Sequence, residues 1–146
     1  MNKLKLFFVF LVATIILSSC ATSYKKASSP EGCGYYDSIL QQDIYEVTFN
    51  GNEYTSSTKA HDYALLRAAE TCLENGYTTF DIVNSNDKSK TSIGTYTNYN
   101  GSYASTYISS STYPKITLII KCSKENNLTF IAEEIKENLR NKYNLK

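Results

Sequence analysis

The strongest constraint on this 146-residue chain is a run of twelve residues, Leu6 to Leu17, apolar throughout except for Thr14. Lys3 and Lys5 precede it, and no acid does. As a helix rising about 1.5 Å per residue, the run falls well short of a hydrocarbon core of about 30 Å. A short apolar run behind a positive flank suits an export leader better than a membrane span. The folded part must then be built from the residues that follow.

The run closes on Leu17-Ser18-Ser19-Cys20, followed by Ala21. Small residues before a cut suit a secretory peptidase, and the added cysteine resembles the bacterial lipobox, [LVI]-[AST]-[GAS]-Cys. That resemblance implies lipid on the Cys20 thiol, cleavage before Cys20 and acylation of the new amino terminus. The alternative is an ordinary signal peptide with a chance cysteine. Several acyl chains make a firm anchor where one binds only marginally. By analogy with other lipoproteins, an aspartate at position 21 often signals inner-membrane retention in Gram-negative cells. Ala21 favours the outer membrane, with the domain facing the periplasm.

The expected division is a lipoprotein signal peptide at 1–19, a lipidated tether at 20–34 and an α+β domain at 35–146. The tether, read up to Gly34 as ATSYKKASSPEGCG after Cys20, is small and polar with Pro30 and two glycines. Ile44 to Phe49 alternates, placing Tyr45, Val47 and Phe49 on one strand face. Asn50-Gly51-Asn52 supplies turn chemistry, and Thr55 to Thr58 offers helix N-caps. Lys59 to Asn75 is the clearest helix, with Ala64, Leu65, Ala68, Cys72 and Leu73 as its apolar stripe. Lys59, Asp62, Arg67, Glu70 and Glu74 are expected mainly on the opposite, solvated side, and Gly76 stops the helix. Tyr77 to Asn84 returns to strand, with Phe80 and Ile82 inward. Ile116, Leu118, Ile120 and Cys122 are in phase in a later strand, and Pro114 is tolerable at its start. Leu128 to Tyr143 reads as a second helix, with Leu128, Ile131, Ile135 and Leu139 inward. The expected domain is a small β-α-β-β-α unit, its sheet covered by helices.

Residues 86–113 interrupt this pattern. From Thr91 to Tyr113 every residue is Tyr, Ser, Thr, Asn or Gly except Ile93, Ala104 and Ile108. Such a stretch has little aliphatic surface to offset its ordering entropy. It reads as a flexible loop or a weak hairpin. The sharper reading is an interaction patch carried by Tyr96, Tyr99, Tyr103 and Tyr107, since Tyr and Ser make adaptable contacts.

The stretch Tyr54 to Ser85, YTSSTKAHDYALLRAAETCLENGYTTFDIVNS, resembles a family of small bacterial envelope lipoproteins of uncharacterised function. Gly34-Tyr35 and Cys122 also look like family features. The likeness spans about 90 residues and is dense over roughly thirty. It implies an envelope lipoprotein and carries no catalytic residue.

Candidate chemistry is sparse. With Cys20 committed to lipid, Cys33, Cys72 and Cys122 remain, and export meets an oxidising compartment. Cys72 lies one turn before its helix ends, close to the start of the next strand. If the strand ending at Cys122 pairs antiparallel with that strand, Cys122 reaches the same pole and points inward. A Cys72–Cys122 disulfide is therefore expected, with Cys33 as a rival partner and three reduced buried thiols as the alternative. There is no Cys-x-x-Cys motif, and one histidine with scattered cysteines does not make a zinc site. His61 and Cys72 are eleven residues apart on one helix, about 16 Å, too far to form a nucleophilic pair. Glu133, Glu134 and Glu137 share a polar helix face with Lys136 and Arg140, which is a solvated surface. Asp81 has no evident partner. With 15 Lys+Arg against 14 Asp+Glu, no basic stripe for nucleic acid is present. No cofactor is expected.

The expected function is a membrane-anchored envelope lipoprotein, a non-catalytic binding or structural protein rather than an enzyme. Its partners are the membrane, through lipid on Cys20, and another envelope component. The alternatives are an envelope stress or redox sensor, and a cell-wall or lipid hydrolase, which would need a cleft where ionisable residues converge.

Overall fold

A computed structural model describes residues 20–100 and 103–146; the expected leader, 1–19, lies outside the described residues. The fold is α+β. In chain order the elements are β1 (Gly34–Gln41), β2 (Ile44–Asn50), α1 (Ser57–Glu74), β3 (Thr79–Asp87) and β4 (Lys90–Asn100). They continue with β5 (Tyr103–Tyr113), β6 (Lys115–Ser123), β7 (Phe130–Ile131) and α2 (Ala132–Lys142). Five strands form one antiparallel sheet in the order β1-β2-β6-β3-β7, and β4 and β5 form a separate two-stranded ribbon. No described helix is long and apolar enough to cross a membrane.

Register explains the core. Phe49 pairs with Ile116, Val47 with Leu118 and Tyr45 with Ile120, while Phe80 pairs with Cys122 and Ile82 with Ile120. Paired residues share a face, so the alternation of three strands becomes one continuous apolar surface. Helix α1 lies on that surface and buries Ala60, Tyr63, Ala64, Ala68 and Cys72. Its alanines let it approach the sheet closely. Ser56 caps it, accepting the Lys59 amide at 3.1 Å, and Gly76 (φ +78°) follows its end. Helix α2 packs beside α1, with Glu133 and Glu134 in its first turn and Arg140 and Lys142 in its last, as the helix dipole favours.

Four features depart from the expectation. First, GYYDSILQ forms β1, an edge strand absent from the expected order. Second, α2 begins at Ala132, because Phe130–Ile131 pairs with Thr79–Phe80 as β7. Ile131 is consequently exposed rather than inward.

Third, 20–34 is not a free tether. Lys26 and Tyr35 form a bridge, with the Ala27 amide donating to Tyr35 and the Tyr35 amide to Lys25, both at 2.8 Å. Gly34 permits this approach: at φ +126° a Cβ would stand 2.4 Å from the Lys25 carbonyl. Thr22 is buried, and Tyr24 packs its ring between Tyr35 (centroids 4.8 Å) and Tyr63 (5.2 Å). Asn50 holds the following turn by donating to the Pro30 and Gly32 carbonyls.

Fourth, of the two readings of 86–113, a flexible loop or a weak hairpin, the flexible loop gives way to the hairpin: β4 and β5 have eleven paired positions from Lys90↔Tyr113 to Asn100↔Tyr103. Backbone pairing along two strands supplies the order that aliphatic burial does not. Only Lys88 and Ser89 separate β3 from β4, and only Pro114 separates β5 from β6. The Lys88 amide donates to the Lys115 carbonyl at 2.8 Å and closes the base of the ribbon.

Candidate functional site

Three places hold the chemistry of the described residues: a charged cleft beside α1, a buried thiol pair, and the end of the domain where Cys20 meets the ribbon.

The cleft has a volume of about 580 Å³ and draws its lining from the amino-terminal segment, β1, α1 and α2. Arg67 lies at its centre. Its Nε donates to Asp37 at 2.8 Å, and its two terminal nitrogens grip Glu74 at 2.8 Å each. Glu70 stands 3.5 Å from Arg67, accepts from Arg140 at 2.9 Å, and accepts the Tyr24 hydroxyl at 2.5 Å. The guanidinium also sits 4.8 Å from the centroid of Tyr35. Burial works against the Arg67 charge, but hydrogen bonds to Glu74 and Asp37 outweigh it and keep the group firmly protonated. Burial and the contact with Glu70 push the Tyr24 hydroxyl far up. Arg67 and Glu70, expected on the solvated face of the helix, are therefore buried. The reason is that β1, α2 and residues 20–27 cover flanks of α1 that helical periodicity alone leaves open.

This cleft does gather ionisable residues from distant segments. Each of Arg67, Arg140, Glu70 and Glu74 is already engaged with an opposite charge. Such saturated pairs brace α1, α2, β1 and Tyr24 against one another. Asp62 completes the brace: it accepts from Lys142 and Tyr143, both at 2.6 Å. Burial opposes its charge, yet those two bonds hold its carboxyl below the ordinary carboxylate range. Asp81 lies elsewhere, paired with Lys121 in register and accepting the Thr129 amide at 2.8 Å. Hydrogen bonds from the Thr129 side chain and amide hold its carboxyl below the ordinary range too. His61 is exposed, as are Glu133, Glu134 and Glu137. Among the described residues, no three His, Cys, Asp or Glu side chains are grouped to hold a metal ion.

The expected cysteine pairing is half realised. β3 and β6 are antiparallel, Cys122 pairs with Phe80, and the Cys72 thiol donates to the Thr79 carbonyl at 3.3 Å. The Cys72 and Cys122 thiols hydrogen-bond to each other in the core, but both are free, so no disulfide joins them here. That shared hydrogen bond, with burial, pushes the Cys122 thiol well up. Cys33 is exposed and adjoins Gly34, which pairs with Asn50 at the other end of the sheet. It is separated from Cys122 by the length of β2, about 20 Å. That is several times the reach of a disulfide, so the rivalry of Cys33 ends there.

Cys20 is exposed, and its carbonyl accepts from the Asn52 side chain at 2.5 Å. The ribbon base lies at the same end: Gly51 donates to the Pro114 carbonyl, and the Tyr113 hydroxyl donates to Glu53, both at 2.8 Å. Of the four tyrosines singled out, the ribbon pairs Tyr96 with Tyr107, Tyr99 with Ala104 and Tyr103 with Asn100. Ile93 and Ile108 lie on one face of the ribbon and are 73% and 75% exposed. Sequence reasoning missed the Arg67 cluster. The signal available was Arg67 and Glu70 beside a run of buried neighbours, and the partners that close the cluster are remote in sequence.

The chain matches no protein-family model, no curated protein and no solved structure.

Proposed function

We propose that this chain is a lipoprotein of the cell envelope, held through lipid on Cys20 on the outer membrane and facing the periplasm. It acts as a non-catalytic interaction protein, and the β4–β5 ribbon is its contact surface. One observation carries the reading. Residues 91–113 contain no charged side chain, yet they form a ribbon outside the main sheet with both edges unpaired among the described residues. Free edges of this kind are ordinarily blunted by charge or proline, because they invite strand addition. The cleft supports the same reading, since Arg67, Arg140, Glu70 and Glu74 are spent on one another.

The test replaces residues 91–112 by Asn-Gly, which joins Lys90 to Tyr113 through a tight turn. Crosslinking in cells is then compared for the two forms. The shortened form is expected to stay in the membrane and to lose the envelope component captured by the parent. An unchanged set of captured proteins means that the ribbon is only a spacer.

A second reading, an envelope redox sensor, draws on the contact between Cys72 and Cys122. Both are almost fully buried, at 0% and 2% exposure. That suits a stabilising bond better than a reporter, which an oxidant must reach. In an exported protein the pair is expected to lose two electrons and two protons to the compartment's thiol oxidants. Closing fifty residues in this way adds up to about 4 kcal/mol by the loop-entropy argument. Non-reducing peptide mapping should join Cys72 to Cys122; free thiols, or a bond to Cys33, would contradict it.

A further inference from the structure

We propose that the end of the domain formed by Asn52, Tyr54 and Tyr113 rests directly on the lipid headgroup surface, because Cys20 is clamped to it rather than tethered. The inference deepens the proposed anchor at Cys20 and depends on it.

The clamp is specific. The Thr22 amide donates to Asn52 Oδ1 (3.1 Å) and to Thr55 Oγ1 (3.0 Å), and the Thr22 hydroxyl accepts the Asn52 amide at 2.8 Å. Asn52 in turn holds the Cys20 carbonyl. Thr22 is 6% exposed, so these bonds are shielded from water. Two residues of chain reach at most about 7 Å. A lipid on the Cys20 sulfur enters the bilayer at headgroup depth, so this end of the domain has no room to stand clear of it.

The surface presented there is compatible with that position. Tyr54 is 63% exposed and Tyr113 39%, and tyrosine suits a boundary that is apolar on one side and wet on the other. Nearby, three lysines (Lys88, Lys90, Lys115) face three acids (Glu31, Glu53, Asp87), with Lys115 standing 3.6 Å from Glu31, so the charges balance in number. This end therefore neither needs anionic lipid nor is repelled by it. The opposite end of the domain carries Leu40, 49% exposed, where β1 turns into β2. The two ends are separated by the length of β2, about 20 Å. Because the base of the ribbon shares the membrane-facing end, the ribbon emerges at headgroup level. A two-stranded ribbon has unpaired edges and is unsuited to the hydrocarbon.

The chain contains no tryptophan, so one can be introduced as a sole reporter. Full-length protein carrying Tyr54→Trp or Leu40→Trp is purified from membranes and incorporated in phosphatidylcholine vesicles with brominated acyl chains. Intact mass first establishes that Cys20 is acylated; an unacylated protein refutes the anchor itself. With acylation present, Tyr54→Trp should be quenched several-fold more than Leu40→Trp. A ten-residue Gly/Ser insertion between Ala21 and Thr22 should abolish most of that difference. Equal quenching at the two positions in the acylated protein, or a difference that survives the insertion, overturns the clamp while leaving the anchor intact.

Discussion

Replacing Arg67 with alanine is expected to destabilise the domain by about 3 kcal/mol, at the low end for breaking a buried ion pair. The side chain is 11% exposed and answers Asp37 and Glu70, which are 26% and 10% exposed. Removing it strips the charge partner from Asp37 and leaves that carboxylate half-buried. It also removes the cation over Tyr35, a contact that contributes about 0.5–2 kcal/mol. Two features keep the cost from rising further: Glu70 retains Arg140, and Glu74, 57% exposed, can be hydrated. Arg67→Lys should fall between the two, because an ammonium keeps the charge but loses the fork that grips Glu74. Denaturant unfolding of the three forms, with an unchanged slope, checks this. A loss below about 1 kcal/mol for alanine would place the cluster among ordinary surface pairs.

Cys20→Ala is expected to remove the acyl mass completely and to abolish lipid-mediated attachment, without altering the fold. The Cys20 side chain is exposed, and the contact that ties this residue to Asn52 uses its backbone carbonyl. Folding stability should therefore change by no more than about 0.5 kcal/mol, as for other surface substitutions. The change in membrane affinity is far larger, since each buried methylene contributes about 0.8 kcal/mol and several chains act together. Intact-mass measurement of membrane-purified protein decides the matter. A Cys20→Ala form that is still acylated and equally membrane-bound would remove the basis of the proposed function.

Much of the fold was readable before any coordinates. The inward residues of β2, β3 and β6 followed from alternation, and the stripe of α1 from helical spacing. The encounter of Cys72 with Cys122 followed from one conditional step, the antiparallel pairing of β3 with β6. The candidate site was much less readable. Arg67 and Glu70 sit where periodicity assigns solvent, and nothing local marks them as buried. Tyr24 lies in a stretch whose composition suggests a linker, yet its ring packs against the core beside Tyr35 and Tyr63. β1 lacks a clean alternation because it is an edge strand whose outer residues, such as Ile39 and Leu40, stay exposed.

By itself the sequence determined what depends on near neighbours: the α+β class, the phase of three strands, both helices, and the absence of charge along 91–113. These are local properties, since a strand or helix displays its buried face in its own spacing. Tertiary structure alone decided whatever requires a distant partner. It docked 20–27 onto β1 and α1, turned Arg67 inward to meet Asp37, and drew Arg140 to Glu70 across seventy residues of chain. It also placed Cys20 and the ribbon base at one end of the sheet. A charged or polar residue is buried only when its partner arrives, and that arrival is a property of the whole fold.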